Sequence, residues 1–453
     1  MISRSALTRG SQLALRSQGA AKLAQRGFAA VASPKASYEP ATVAGIKVAS
    51  RDDQGPTTHL AVVAKAGTRY EPLPGLTVGL EAFTFKNTKK RSALRIVREA
   101  ELLGGQLAAY HTREALVLQA SFLREDLPYF TELLAEVITQ TRYTTHEFHE
   151  EVESVIHAKQ AKIGADAIAL DAAHSVAFHT GLGAPLYPTP STPIASYLNE
   201  NSVAQYADAV YNRADIAVVA DGASEGALSK WIEPFFKELP SQSPDPLDSA
   251  ASKYRGGEVR IPKTGSSALV IAFPGSALGA SQPETAVLIG LLGGESGIKW
   301  SPGFTILSKA TAANPGAHAK ATNYAYSDAG LLTIEITGSA SVVRKVAEES
   351  IKALKSVVDG SVSKEDLVKA IAKAKFDLLS GSETAGVGLV HAGANLIHGG
   401  KPLQVLETIK ALESVTAEKF KTAAKALLDG KASVGAVGDL HVLPFAEDLG
   451  LRV

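Results

Sequence analysis

The sequence predicts an α+β protein built from two homologous domains, each a mostly antiparallel sheet with helices packed on one side. Three observations carry this. The chain has 453 residues, more than one hydrophobic core usually organises. Near its midpoint, Leu239 to Ser249 combines three prolines with small polar residues, which reads as an exposed linker. On either side of that linker the same order of signals recurs roughly 215 residues apart, the mark of a duplication. The expected division is a targeting segment at 1–32, a first domain at 38–238, a linker at 239–255 and a second domain at 256–453.

Each half opens with short strands, at Gly45 to Ala49 and Thr58 to Ala66 in the first and at Glu258 to Ile261 and Ser267 to Phe273 in the second. Helix-like stretches follow, around Gly75 to Phe85 and Glu284 to Leu292. A hairpin comes next. Gln106 to His111 with Ala115 to Phe122 matches Ala317 to Tyr324 with Leu331 to Thr337, where Leu332 to Thr337 alternates apolar and polar as a half-buried strand does. Each hairpin leads into an amphipathic helix. Phe130, Leu133, Leu134, Val137 and Ile138 share one face in the first, and Val342, Val346, Ile351, Leu354 and Val358 form a looser stripe in the second. Thr145 and Ser363 then offer hydroxyl N-caps, with acids in the first turn, for a further helix. Both halves close with an apolar strand, Ile216 to Gly222 and Ser433 to Asp439.

Composition excludes several classes. Hydrophobic residues make up 45% and the 46 basic residues balance the 46 acidic ones, so the chain is neither disordered nor supercharged and has no electrostatic reason to bind nucleic acid. The absence of cysteine rules out disulfides, thiolate metal sites, iron–sulfur ligation and thiol catalysis. Arg4, Arg9, Arg16, Lys22 and Arg26 lie among Ser, Ala, Leu and Gln before the first acid, Glu39, which is the composition of a mitochondrial presequence; a disordered basic tail is the alternative. Processing is expected near Arg26-Gly27-Phe28. No run of roughly eighteen apolar residues exists, so the chain is expected to be peripheral if it belongs to a membrane complex.

The segment from Gly75 to Thr88, GLTVGLEAFTFKNT, resembles the zinc helix of the pitrilysin/insulinase metallopeptidases, with the pattern G-x-x-H-x-x-E-H-x-x-F-x-G-[ST]. In that pattern two histidines four residues apart on one helical face ligate zinc, and the intervening Glu is the base for the attacking water. Here Val78 and Ala82 stand at the histidine positions and only Glu81 remains. The family's third ligand is a Glu just under eighty residues further on, where the resemblance places Lys159. Val, Ala and Lys cannot hold zinc, so no catalytic, cofactor-binding or metal residue is expected.

Other chemistry-bearing residues have plainer readings. His149, Glu153 and His157 share a helical face that would suit a metal, although a solvated charged face explains them as well. His174, His179, His391 and His398 sit among small apolar residues and read as core or interface histidines. Leu291 to Lys299 is glycine-rich but lacks phosphate-loop spacing, and no G-x-S-x-G elbow is present.

Within the family the chain is similar to members whose metal site is erased, above all to the second type of core subunit in mitochondrial ubiquinol:cytochrome c reductase, respiratory complex III. The resemblance implies a non-catalytic structural subunit, peripheral on the matrix side of the inner membrane. It implies pairing with a homologous core protein 1 and support of cytochrome b, cytochrome c1 and the iron–sulfur subunit in a dimeric complex, with no haem or quinone of its own. The alternative is the α subunit of the mitochondrial processing peptidase, which carries a nearly pure glycine loop for presequences. Glu295, Ser296, Ile298, Lys299 and Trp300 interrupt that loop here. A third reading is a zinc peptidase with other ligands.

Overall fold

A computed structural model describes residues 37–243, 250–279, 282–296, 301, 303–358, 363–402 and 404–453. The expected presequence at 1–32 and the middle of the expected linker lie outside the described residues.

The first half contains β1 (Glu39–Val43), β2 (Ile46–Arg51), β3 (Thr57–Ala64), α1 (Leu76–Phe83), α2 (Ala93–Leu102), β4 (Gln106–His111), β5 (Leu116–Leu123) and α3 (Leu127–Gln140). Next is α4, which runs from Thr145 through a π-helical turn at Phe148–Val152 into Glu153–Ala161. Then come α5 (Ala165–Phe178), α6 (Glu200–Val210), β6 (Ile216–Asp221) and α7 (Glu225–Phe235). The second half contains β7 (Gly257–Pro262), β8 (Ser267–Pro274), α8 (Pro283–Leu292), α9 (Ile306–Ala313), β9 (His318–Ala325), β10 (Gly330–Gly338), α10 (Ala340–Val358), α11 (Lys364–Glu383), α12 (Ala385–Ile397), α13 (Val405–Glu413), α14 (Ala417–Asp429) and β11 (Ser433–Gly438).

The strand orders are β1-β2-β6-β3-β5-β4 and β7-β11-β8-β10-β9, the same order once β1 is set aside. In each sheet one pair is parallel, β2 with β6 and β7 with β11, and the rest are antiparallel. The duplicated α+β fold expected from the signal order is therefore present in strand order and pairing sense. The N-cap of α4 is Thr144, one residue before the expected Thr145, because it is the Thr144 hydroxyl that accepts from the Glu147 amide. Ser363 caps α11 as expected.

Each half's own helices cover one face of its sheet. Ile46, Val48, Leu60, Val62, Leu116, Leu118 and Val218 pack against Val78, Phe83, Phe130, Leu134 and Val203 in the first core. The other face is covered by a helix from the opposite half. Leu389, Ala392, Leu396 and Ile397 of α12 lie on Ala61, Val63, Val117 and Val219 of the first sheet. Ala165, Ala169, Ala173 and Ala177 of α5 lie on Ala268, Val270, Ala272 and Val437 of the second. This two-sided cover explains why β6 and β11 are buried at every position, as a strand with both faces covered must be. Close approach needs a missing side chain. A Cβ on Gly435 of β11 would lie 2.2 Å from the Ala169 carbonyl, and one on Gly393 of α12 would lie 2.4 Å from a Val63 methyl.

The ends of the expected linker are fastened. Arg213 N–H groups donate to Leu239 O and Pro240 O, Ser252 N donates to Asp328 Oδ2 at 2.7 Å, and Arg255 N donates to Ala177 O. Among the described residues no helix is long and apolar enough to cross a membrane.

Candidate functional site

The degenerate motif lies on α1, a two-turn helix that begins after Gly75 at φ 97°. The Glu71 carboxylate receives the Gly75 and Thr77 amides at 3.3 and 3.0 Å, meeting two of the donors that a helix N-terminus leaves unpaired. Burial pushes that carboxyl up to about 7 despite both bonds. Leu76, Val78, Leu80 and Phe83 face the first core, which anchors the helix. Val78 is thus a core residue, and Ala82 is partly buried beside the same core.

Glu81 points instead to the gap between α1, β4 and α4. Its Oε1 accepts from Lys159 Nζ at 2.5 Å, and its Oε2 contacts His111 Nδ1. The other His111 nitrogen lies 2.8 Å from the Leu186 carbonyl. Both ring nitrogens therefore face acceptors. Tyr187 packs edge-on to His111 and lies under the Lys159 ammonium. Burial pushes the Glu81 carboxyl up, but the His111 and Lys159 contacts outweigh it and hold the pKa below the ordinary carboxylate value. Sequence reasoning placed Glu81 and Lys159 at family positions without foreseeing their ion pair. It missed His111 altogether, because the end of a β-strand thirty residues away carries no local pattern linking it to the helix.

This arrangement holds an anion rather than a metal. A zinc ion would need neutral or anionic donors, and the positions considered offer a methyl-bearing core side chain, an alanine and an ammonium. Both Glu81 oxygens are engaged and its pKa is lowered, which makes it a poor base for drawing a proton from water. The residues do not fit zinc.

The helical cluster does not converge either. His149 bonds Glu153 at 3.2 Å, whereas His157 contacts Gln160 instead. Among the described residues no group of three or more His, Asp or Glu is placed to hold a metal ion. Of the four histidines read as core or interface, His174 is buried, with Nδ1 on Leu170 O and Nε2 on Tyr326 OH. Burial, with the nearby Arg113 charge, lowers its pKa well below the ordinary value. His398 lies at the seam between halves, 3.7 Å from Glu114. His179, ending α5, is exposed, which corrects the expectation, since helix-end geometry takes it out of the apolar surroundings its neighbours suggest, whereas His391 lines a cavity at the seam beside Tyr38, Val387 and Ala392, where burial lowers its pKa.

At the seam the two equivalent hairpin turns meet. Ser327 donates to Glu114 through its amide at 2.8 Å and its hydroxyl at 2.6 Å. Arg69 bridges Glu114 and Asp328, and Arg113 reaches Asp171 on α5. In the glycine-rich stretch, Glu295 N donates to Ala319 O and Ala321 N to Gly293 O, so residues 293–295 add to the edge of β9. Ile298, Lys299 and Trp300 lie outside the described residues.

Comparison with known proteins gives two family matches, "Insulinase (Peptidase family M16)" over residues 47–190 and "Peptidase M16 inactive domain" over 197–374. The chain is 74% identical to a Neurospora crassa protein called cytochrome b-c1 complex subunit 2, mitochondrial, over the full length of both. It is 37% identical to the protein of the same name from Cryptococcus neoformans, over 90% of this chain and 93% of that one. The Mus musculus protein of that name is 28% identical, over 89% and 90%.

Proposed function

The chain belongs to the insulinase family of peptidases, M16, and on that premise we propose that it is a non-catalytic core subunit of the mitochondrial cytochrome b-c1 complex. It supports electron transfer from ubiquinol to cytochrome c without taking part in the chemistry. The observation that carries the non-catalytic reading is the Lys159–Glu81–His111 cluster. The one carboxylate left from the peptidase motif is held between the Lys159 ammonium and the His111 ring, and Val78, Ala82 and Lys159 replace the zinc ligands. The finer reading rests on the full-length likeness to subunits of that name. It has residues 1–32 removed on import, and peptidase-like domains at 38–238 and 256–453 joined by 239–255. It also has the chain on the matrix side of the inner membrane, paired with core protein 1 beneath cytochrome b, cytochrome c1 and the iron–sulfur subunit of a dimeric complex.

Deletion of the gene, followed by blue-native gels for the cytochrome b-c1 complex beside immunoblots of presequence-bearing proteins, tests this. The expected result is loss of the assembled complex and of the partner core protein, since unpaired subunits expose interface and are degraded, while imported precursors are still trimmed. General precursor accumulation with the complex initially intact would assign the chain to the processing peptidase instead.

A further inference from the structure

The two sheets differ in one place. In the first, β1 lies antiparallel along the outer edge of β2, pairing from Glu39 opposite Ser50 to Val43 opposite Ile46. In the second, β7 takes the position of β2, parallel to the closing strand β11, and no strand among the described residues lies outside it. The chain that folds back as β1 in the first half is diverted in the second. Ser252 N is held by Asp328, Arg255 N donates to Ala177 O and the Tyr254 hydroxyl donates to Lys431 O at 3.0 Å, so residues 252–255 run from the seam to α5 before β7 begins.

The ladder shows which groups this leaves open. Gly257 N and Lys263 N donate to Ala432 O and Gly438 O beside β11. Main-chain groups alternate sides along a strand, so those of Glu258, Arg260 and Pro262 point outward. Pro262 has no N–H. The Glu258 and Arg260 amides, with the carbonyls of all three residues, therefore form an edge that meets no partner among the described residues. Burial agrees, since no residue of β7 is buried whereas four of the six in β2 are.

An open edge is a template for pairing, and folded proteins guard one with charge or cover it. Here the charges are turned away from it. The Arg260 guanidinium donates to Glu258 Oε1 at 2.8 Å and to the Pro444, Leu440 and Leu443 carbonyls at 2.9, 2.9 and 3.0 Å. Glu258 Oε2 accepts from Ala446 N at 3.0 Å. The Phe445 ring lies on that guanidinium, with its centroid 3.8 Å from Cζ, yet is 52% exposed, which leaves an apolar surface next to β7.

We propose that the outer edge of β7 is a docking site for an extended, uncharged segment of another subunit of the cytochrome b-c1 assembly, which adds antiparallel along Glu258 to Pro262 as β1 adds to β2 and sets an apolar side chain on Phe445. The proposal rests on the assembly reading above. Main-chain bonds supply the affinity. A charged segment would lose hydration beside Glu258 and Arg260, which already hold each other. The β7 of a second copy fits less well, because Pro262 would bring a ring to the edge in place of an N–H.

Hydrogen exchange at single-amide resolution, on the free full chain and on the isolated assembled complex, tests this. The Val259 and Ile261 amides face β11 and should be protected in both. The Glu258 and Arg260 amides should exchange freely in the free chain and about a hundred-fold more slowly in the complex, as bonded strand amides do. Glu258→Pro and Glu258→Ala lose the same side-chain bonds, but only the proline removes the outward N–H and puts a ring on the edge. In complex carrying Glu258→Pro the Arg260 amide should exchange at the free-chain rate, and with Glu258→Ala it should stay protected. A complex that contains the chain yet leaves both native amides fast would overturn this inference while the assembly reading stands, and a chain missing from the complex would overturn both. Equal protection in the two variants, or protection that the free chain gains with rising concentration, would assign the effect to simple burial or to a second copy and so overturn it as well.

Discussion

Two carboxylates a helix apart have been pushed in opposite directions by their surroundings. Glu71 is raised to about 7 by burial, so the fold favours its neutral form. That contribution is fully present below the unfolded carboxyl value of about 4.3 and is lost as pH rises toward 7. Glu71→Gln should therefore flatten the decline in stability over that interval, measured by urea unfolding at a series of pH values. Glu81 is lowered, with burial opposed and outweighed by His111 and Lys159. Its contribution is present above the unfolded value and is lost as pH falls through the lowered folded value. Lys159→Met should cost about 1–2 kcal/mol at pH 7, between the worth of exposed and buried pairs. The difference from the native chain should shrink in acid, once Glu81 is protonated. Unfolding curves of both proteins at pH 7 and below the carboxylate range check this, and equal stability at pH 7 would mean the pair contributes nothing.

At the scale of elements, the exchanged helices set the tightest tolerances. On Gly435 an added methyl would meet the backbone of α5, 2.2 Å from Ala169 O and 2.9 Å from Ala173 N. Backbone cannot step aside without moving the whole helix, so Gly435→Ala should lose about 2–3 kcal/mol. At Gly393 the obstacle is a Val63 methyl, which can shift more readily, so Gly393→Ala should cost less. Calorimetry of the two variants orders them, and a reversed order would contradict the contact geometry. Alanine suits α5 for the same reason. Ala165, Ala169, Ala173 and Ala177, four residues apart, make a smooth face that seats flat on the second sheet.

For the whole molecule, the exchange makes two sequence-level domains into one interlocked body. Limited proteolysis should cut first within 241–249, between the fastened ends of the linker, where Pro- and Ser-rich chain connects the halves. The two fragments should stay together on size exclusion and separate only in denaturant. α5 is cut off from its sheet by the nick in covalent terms alone, and the Arg69–Asp328 and Glu114–Ser327 bonds still span the seam. Fragments that separate under native conditions would show the crossed helices to be weakly held.

The sequence by itself determined the duplication, the order of elements along each half and the replacements within the metal motif, because these are written locally. Alternating residues mark strands such as β10, and Val78 and Ala82 stand inside a recognisable frame. Some local signals were off by one, as when Thr144 rather than Thr145 caps α4, since neighbouring hydroxyls compete for the same amides. What only the tertiary structure decided is everything that depends on distant chain meeting distant chain. His111 joins Glu81 from a strand end, α5 and α12 trade sheets, and Tyr38 packs against a helix some 350 residues away. An alanine-rich or apolar helix declares that it will be buried, but its sequence does not say against which of two similar sheets. That choice falls to the shape of the surfaces, the glycines that let them close, and the ion pairs that lock the two hairpin turns together.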